Sequence, residues 1–418
     1  MTSRLTPLFI FVFLSTLSID AANRIDPSTL NGKVLLGYQG WFGCPGDGSP
    51  HNNWRSWSRG VPAPGTLTVD LYPDLSELDA DERCVVPGMT IGDKPAYLYS
   101  AWPRKTVLRH FAWMKRYGLD GVLVQRFVGT IPDKRATGDV VLKNVIAGAE
   151  AYGRTFAIEY DISGGNPATF AQTLREDWQY LANDLHVTAS PNYQRHNGKP
   201  VVSVWGMGFD ETEHPPADAA TAKDLIEWFE SKAHVTYMGG VPSRWRTLTN
   251  DARKDSDWAA AFQAMNVIQP WTVGRYRDNA SADRWKDEML TPDLAQTARN
   301  GQLYMPVIFP GFSWHNLKPK FPPNQIPRHR GEFLWRQAYN AKVAGATMLK
   351  IAMFDEVNEG TAIFKVASKR SDAPDQGFWL TLDADGADLP SDWYLKLAGQ
   401  ITRVFHGEIA ANPQMPLY

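Results

Sequence analysis

A chain of 418 residues, 43% of them hydrophobic, is long enough to bury one large α/β domain or two smaller ones. A formal net charge of −2 supplies no electrostatic reason to expect a nucleic acid or an anionic membrane as partner. The unusual figure is 16 Trp beside 15 Tyr and 19 Phe. Sugars stack their apolar C–H faces on aromatic rings, so such a chain leans towards carbohydrate, although large proteins also bury Trp simply as core.

The N-terminus reads as a sorting signal over residues 1–22. Arg4 is followed by an apolar stretch from Leu8 to Leu17 and by small residues at Ala21 and Ala22. The stretch is too short to span a bilayer, so the mature chain, 23–418, is expected to be secreted or periplasmic with no membrane span. The only cysteines, Cys44 and Cys84, then fit one disulfide in an oxidising compartment. Two cysteines forty residues apart do not make a zinc site, and the nine His show no H-x-x-x-H or H-x-H pairing. Neither a metal nor a cofactor is expected.

Eight apolar runs read as buried strands: 33–38, 121–126, 155–160, 200–205, 234–238, 266–269, 304–309 and 347–353. Helical segments are expected after each, near 104–117, 138–152, 167–183, 218–232, 252–263, 284–300, 329–344 and 390–405. Val107, Phe111 and Met114 form one apolar helix face, and Phe170, Leu174, Trp178 and Leu181 another. Gly118, Gly153, Gly301 and Gly345 each stand between an amphipathic stretch and an apolar run, where helices end. Eight alternating units predict a single-domain (β/α)8 barrel. The first connection, about 39–102, is far too long for a plain loop and holds both cysteines.

In such a barrel, functional residues gather after the strands, and polar and aromatic residues do so here. The first strand ends in Tyr38 and leads into Gln39-Gly40-Trp41, with Trp54 and Trp57 further along its loop. Arg126 closes the second strand, Glu159-Tyr160-Asp161 the third and Trp205 the fourth. Trp271 follows the sixth, and Trp314 and His315 the seventh. Tyr38, Gln39, Trp41, Trp54, Arg126, Asp161, Trp205, Trp271, Trp314 and His315 are candidate sugar contacts. For any one of them, a role in holding the scaffold or a neighbouring residue is the plainer alternative.

The most informative segment follows the eighth strand: Asp355-Glu356-Val357-Asn358-Glu359-Gly360-Thr361. Glu356 and Glu359 stand three residues apart, a spacing that brings Cβ atoms within roughly 5–6 Å on a helical turn. Retaining glycosidases hold their two carboxyl groups about 5–5.5 Å apart. An acidic turn capping the next element is the plainer alternative. Asn358 is a further candidate for substrate contact.

These residues resemble glycoside hydrolase family 99, together with the related family 71. Family 99 comprises (β/α)8 endo-acting α-mannosidases and α-mannanases whose last strand leads into N-E-W-H-E-G-T. The present chain keeps both acids, Gly360 and Thr361, and has Asp355, Val357 and Asn358 in place of Asn, Trp and His. Pro310-Gly311-Phe312, Arg328 to Phe333, and Gly40-Trp41-Phe42-Gly43 through Trp57 are similar to other motifs of the family. The resemblance implies that Glu356 is the base drawing a proton from the sugar 2-hydroxyl. That hydroxyl attacks the anomeric carbon to give a 1,2-anhydro sugar. Glu359 is implied as the acid that protonates the leaving oxygen and later activates water, with overall retention.

An oligo- or polysaccharide is therefore the expected partner, with no nucleic acid; the oligomeric state is not legible. Two alternatives stay open. One is a glycosidase on another sugar, such as a xylose, arabinose or α-glucan polymer. The other is a non-catalytic secreted carbohydrate-binding barrel.

Overall fold

The structure is a computed structural model that describes residues 24–210 and 218–416; the expected sorting signal lies outside the described residues. The chain opens with β1 (Val34–Tyr38), then a long loop carrying the hairpin β2 (Arg83–Ile91) and β3 (Lys94–Tyr99), then α1 (Arg104–Arg116). Next come β4 (Gly121–Phe127), α2 (Ile131–Tyr152), β5 (Thr155–Asp161) and α3 (Phe170–Asn183). The short β6 (Arg195–His196) precedes β7 (Lys199–Trp205), α4 (Ala219–Ser231), β8 (Thr236–Pro242) and α5 (Asp257–Gln263). The last units are β9 (Val267–Trp271), α6 (Asn279–Trp285), α7 (Thr291–Asn300), β10 (Leu303–Tyr304), β11 (Val307–Ile308), α8 (Glu332–Val343), β12 (Leu349–Ile351) and α9 (Trp393–Phe405).

The main sheet is parallel and runs β10-β9-β8-β7-β5-β4-β1-β12-β11. Its two end members are halves of one strand, interrupted at Met305-Pro306. The Met305 N–H still bonds to Ile268 of β9, and the Pro306 carbonyl accepts from Lys350 of β12, so the sheet curls back on itself. The strands are covered on both faces, which is why they read as apolar runs rather than as alternating ones. Val34, Leu36 and Tyr38 point outward to the helices, and the inward side chains fill the barrel. Val107, Phe111 and Met114 of α1 and Leu174, Trp178 and Leu181 of α3 are buried, as their spacing predicts.

The eight strands and eight helical regions fall where expected, with physical reasons for each departure. α2 begins earlier, at Ile131, because Pro132 in its first turn costs no hydrogen bond there. The helix expected at 284–300 is divided by one π turn, Lys286–Leu290. β12 is short, although the Ala352 and Phe354 N–H groups still reach the carbonyls of Ile308 and Gly37 on the neighbouring strands. The Met353 N–H bonds to the Thr361 carbonyl, and the Met353 and Phe354 carbonyls accept from Ile363 and Phe364, folding the acidic segment into a closed loop. The hairpin in the first loop is invisible to a count of barrel units. Cys44 and Cys84 form a disulfide that ties this hairpin to the loop leaving β1.

Candidate active site

The loop 354–364 is fixed from four directions before any ligand is considered. Arg328, which opens the segment before α8, donates to the carbonyls of Gly360 and Ala362 at 2.8 and 2.7 Å. The Ser313 N–H bonds to the Glu359 carbonyl at 2.9 Å, and Asp70 N–H to that of Val357 at 3.0 Å. Asn358 Nδ2 donates to the carbonyls of Ser56 and Thr68 at 2.8 and 3.0 Å. Gly360 sits at φ +66°, and a Cβ there would come within 2.9 Å of the Ser313 backbone, so no other residue suits this turn.

Within that loop three carboxyl groups are set apart by their surroundings. Asp355 is fully buried and receives the backbone N–H groups of Gln39 and Gly40 at 2.9 and 2.8 Å. Burial lifts its pKa to about 6 despite those two donors. Asp355 thus bridges the ends of β12 and β1. Glu356 is 4% exposed and accepts the Asn358 N–H at 2.9 Å, with a further bond from the Gln39 side chain. Burial pushes its pKa well above the ordinary value, and repulsion from Glu359 and then Asp355 adds to the rise. Glu359 is only half-buried and is the member of the pair that reaches towards solvent. Burial and the neighbouring Glu359 thus both favour the protonated form of Glu356.

The candidate sugar contacts separate into groups. Gln39 touches Glu356, as above. Trp41 is half-buried and stacks on Phe127 at 5.1 Å and 14°, forming a flat aromatic shelf beside Gln39. Trp271 meets Trp205 edge-on at 5.5 Å, and both are half-buried at strand ends. Trp314 packs between Phe312 and Phe321 and is also half-buried. Asp161 is 7% exposed at the end of β5 and accepts the Ser163 N–H.

Other candidates are engaged in holding the scaffold. Tyr38 faces α1, where its hydroxyl meets His110 Nδ1 at 3.0 Å, because its outward register on β1 turns it from the barrel mouth. Trp54 lies beside Pro45 and Cys84 of the disulfide region, and Trp57 is wholly buried. Arg126 is bidentate to Asp177 at 2.6 and 2.7 Å and also pairs with Asp139. His315 bonds through Nδ1 to the Phe321 carbonyl, and its N–H to Asp70. Asn358 is committed to two carbonyls.

Two groups were not singled out from the sequence. Asp70 gathers Ser313 Oγ, His315 N–H and Asn316 N–H and so locks the loop after β11 to the first loop. Lys350, fully buried in β12, places Nζ 2.7 and 2.8 Å from the Glu159 carboxylate and 3.1 Å from Gln269 Oε1. It lies 5.5 Å from the Trp271 ring. The signal for this pair was a charge of opposite sign inside each of two apolar strands, Glu159 in β5 and Lys350 in β12. Asp79, Asp81 and Glu82, the one acidic cluster of metal-ligand spacing among the described residues, are paired with Lys105 and Arg109.

Comparison with solved structures places this fold in a known architecture. A glycoside hydrolase family 99 endo-α-mannosidase from Bacteroides thetaiotaomicron superposes with a TM-score of 0.67 over 91% of this chain and 99% of its own, at 16% identity. The fold is that of the family 99 enzyme. A second structure of that protein, with bis-tris propane bound, gives 0.66 at 17% identity. A glycoside hydrolase-like protein gives 0.53 over 83% of this chain and 98% of its own, at 14% identity. The likeness concerns family 99 and does not bear specifically on family 71. No protein-family model matches the chain, and no curated protein matches it by sequence. Among the described residues, no helix is long and apolar enough to cross a membrane.

Proposed function

We propose that this protein is an exported glycoside hydrolase that cleaves α-linked, mannan-like glycans with retention, using Glu356 and Glu359. The observation that carries the reading is the pair itself: a Glu356 raised first by its burial and then by the neighbouring Glu359, in a clamped loop at the carboxyl end of the last barrel strand. A capping turn needs no such burial of acid.

The chemistry follows the division that the resemblance implies. Glu356, ionised, takes the 2-hydroxyl proton as that oxygen attacks the anomeric carbon from the face opposite the leaving oxygen. Glu359 gives its proton to that oxygen as the glycosidic bond breaks. Water then enters, losing a proton to Glu359, and opens the 1,2-anhydro ring while Glu356 returns its proton to O2. Two inversions leave the configuration retained. The step requires O1 and O2 on opposite faces, as in an α-mannoside; an α-glucoside has them on the same face. This stereochemistry favours mannan over α-glucan.

The upward push favours a proton on Glu356 in the free protein, so the proposed division requires that proton to pass to Glu359 when the glycan binds; once ionised, Glu356 is the stronger base for an alcohol proton. Asp355 supports the site by fixing Gln39 and Gly40, and the half-buried aromatics at the strand ends supply stacking surfaces. A second reading, a sugar-binding barrel without turnover, draws on one observation. Val357 is fully buried and Asn358 is structurally committed, where the family motif has Trp and His. A screen of α-linked oligosaccharides and aryl glycosides, with products resolved by size and anomeric form, decides between the two. Binding without any cleavage, at every pH tested, would leave the barrel a lectin.

A further inference from the structure

A cavity of about 260 Å³ lies beside the acids but does not include them. It runs between the ends of β1, β4 and β5 and the first turns of α2. Its floor is apolar: Val124, Ile131, Val141, Leu142 and Ile158, all buried. Trp41 and Phe127 form its lip, and Gln39 joins it to the site, because the same side chain bonds to Glu356. At this volume, just under the roughly 300–1,000 Å³ of pockets for drug-sized ligands, there is room for one sugar ring.

Two features of the wall select the ligand. Gln39 Oε1, Trp41 Nε1 and Gln125 Oε1 are all buried there and have no hydrogen-bond partner among the described residues. Buried polar groups are nearly always paired, so an amide oxygen and an indole N–H left open on one cavity mark places for a polar ligand. The charged lining is also of one sign. Arg55, Arg126, Lys134 and Arg135 line the cavity, with no carboxylate among the lining residues. Asp139 and Asp177, behind the wall, offset Arg126 and Arg135, and Lys134 is the exposed cation at the cavity rim. Arg55 spends its Nε on the Trp41 carbonyl, and Asp47 is the acid that faces it. The neighbouring His51, bonded to Thr137, is held below its usual pKa first by burial and then by Arg55 and Lys134, with Asp47 opposing.

We infer that this cavity is a subsite for a sugar ring bearing an anionic substituent: a uronic acid, or a sugar carrying a sulfate or phosphate ester. The apolar floor and the Trp41–Phe127 shelf take the ring, the open amides and indole take its hydroxyls, and Lys134 at the rim faces the anion. A charged partner adds discrimination at a site that already excludes water on its apolar side. The inference rests on the glycan reading above and specifies which glycans: those with acidic residues.

The test is calorimetric titration of the full chain with methyl α-mannoside, mannuronate, mannose 6-sulfate, mannose 6-phosphate and inorganic sulfate. The expected result is at least about tenfold tighter binding of one or more anionic sugars than of the neutral parent, weakening as salt is raised. The spread among the three shows which substituent fits. Lys134→Glu should remove the preference while leaving the affinity for methyl α-mannoside and the melting temperature unchanged. Gly138→Leu, at an exposed position on α2 where a side chain meets only Arg126, should fill the cavity and abolish anionic-sugar binding without loss of fold. Equal affinity for charged and neutral sugars overturns the inference. So does inorganic sulfate binding as tightly as the charged sugars, or a preference that survives both variants. If neutral oligosaccharides are cleaved but no preference is seen, the subsite alone falls. If the preference is seen and no glycan is cleaved, the subsite stands and the hydrolase reading falls.

Discussion

The proposed roles of Glu356 and Glu359 are separable by substrate. Replacing Glu359 by Gln should abolish hydrolysis of substrates with poor leaving groups yet spare much of the activity on activated aryl glycosides, which need little protonation. Glu356→Gln should impair both, because the 2-hydroxyl loses its base whatever departs. Each loss should amount to about 10²–10⁴-fold, measured as kcat/KM on both substrate types. On the proposed division Glu356 works ionised while burial pushes its pKa upward, so the acidic limb of the kcat/KM profile should lie well above the ordinary glutamate range. A limb near pH 4 would refute the base assignment. Asp355 belongs to the same scale. Its pKa of about 6, against 3.8 in the unfolded chain, means the native state holds a proton that the unfolded state has lost between those values. Its protonation therefore favours folding below about pH 4, and that contribution is lost as pH rises through 6. Asp355→Asn turns one acceptor into a donor facing a backbone N–H, and should cost about 1–3 kcal/mol by denaturant titration.

The acidic loop behaves as one element, because every clamp on it comes from a different part of the chain. Gly360→Ala forces a side chain into the left-handed region and against Ser313. It should cost of order 1–3 kcal/mol and lower activity further than stability, since both glutamates ride on that turn. Activity and melting curves of the same variant separate the two effects. The first loop depends on the Cys44–Cys84 bridge in a comparable way. The bridge closes a segment of 40 residues, and on chain-entropy grounds its loss should cost about 3–4 kcal/mol. Cys44→Ser with Cys84→Ser, melted beside the wild type without reductant, measures it. The Asp355 contacts to Gln39 and Gly40 make the acids sensitive to that loop, so a drop in kcat should accompany the drop in stability.

For the molecule as a whole, the buried Lys350–Glu159 pair crosses the barrel interior and underlies Trp271. Lys350→Met would leave Glu159 charged and unpaired in the core, at a cost of about 3–5 kcal/mol. Adding Glu159→Gln should recover much of that loss, because an amide can still receive Ser203 and no charge remains stranded. Thermal melting of the single and double variants tests it. If Lys350→Met alone is neutral, the pair contributes nothing to the barrel.

The alternation of strand and helix was legible in the sequence because a parallel sheet covered on both faces leaves unbroken apolar runs, and the helices leave amphipathic ones. Glu356 and Glu359 were legible for the same reason: their place after the eighth run puts them at the carboxyl end of a barrel strand. The disulfide followed from two cysteines in one loop. What pattern alone left open was the direction of each side chain and the identity of its partner. Tyr38 and Trp41 are three residues apart, yet one turns to His110 under α1 and the other stacks on Phe127 at the cavity lip. Arg126 and Asn358 read equally well as sugar contacts until Asp177 in one case, and the Ser56 and Thr68 carbonyls in the other, are found within hydrogen-bonding distance. Periodicity reports which face of an element is apolar. The partners of a polar group come from segments tens or hundreds of residues away, and only the closed barrel brings them within 3 Å.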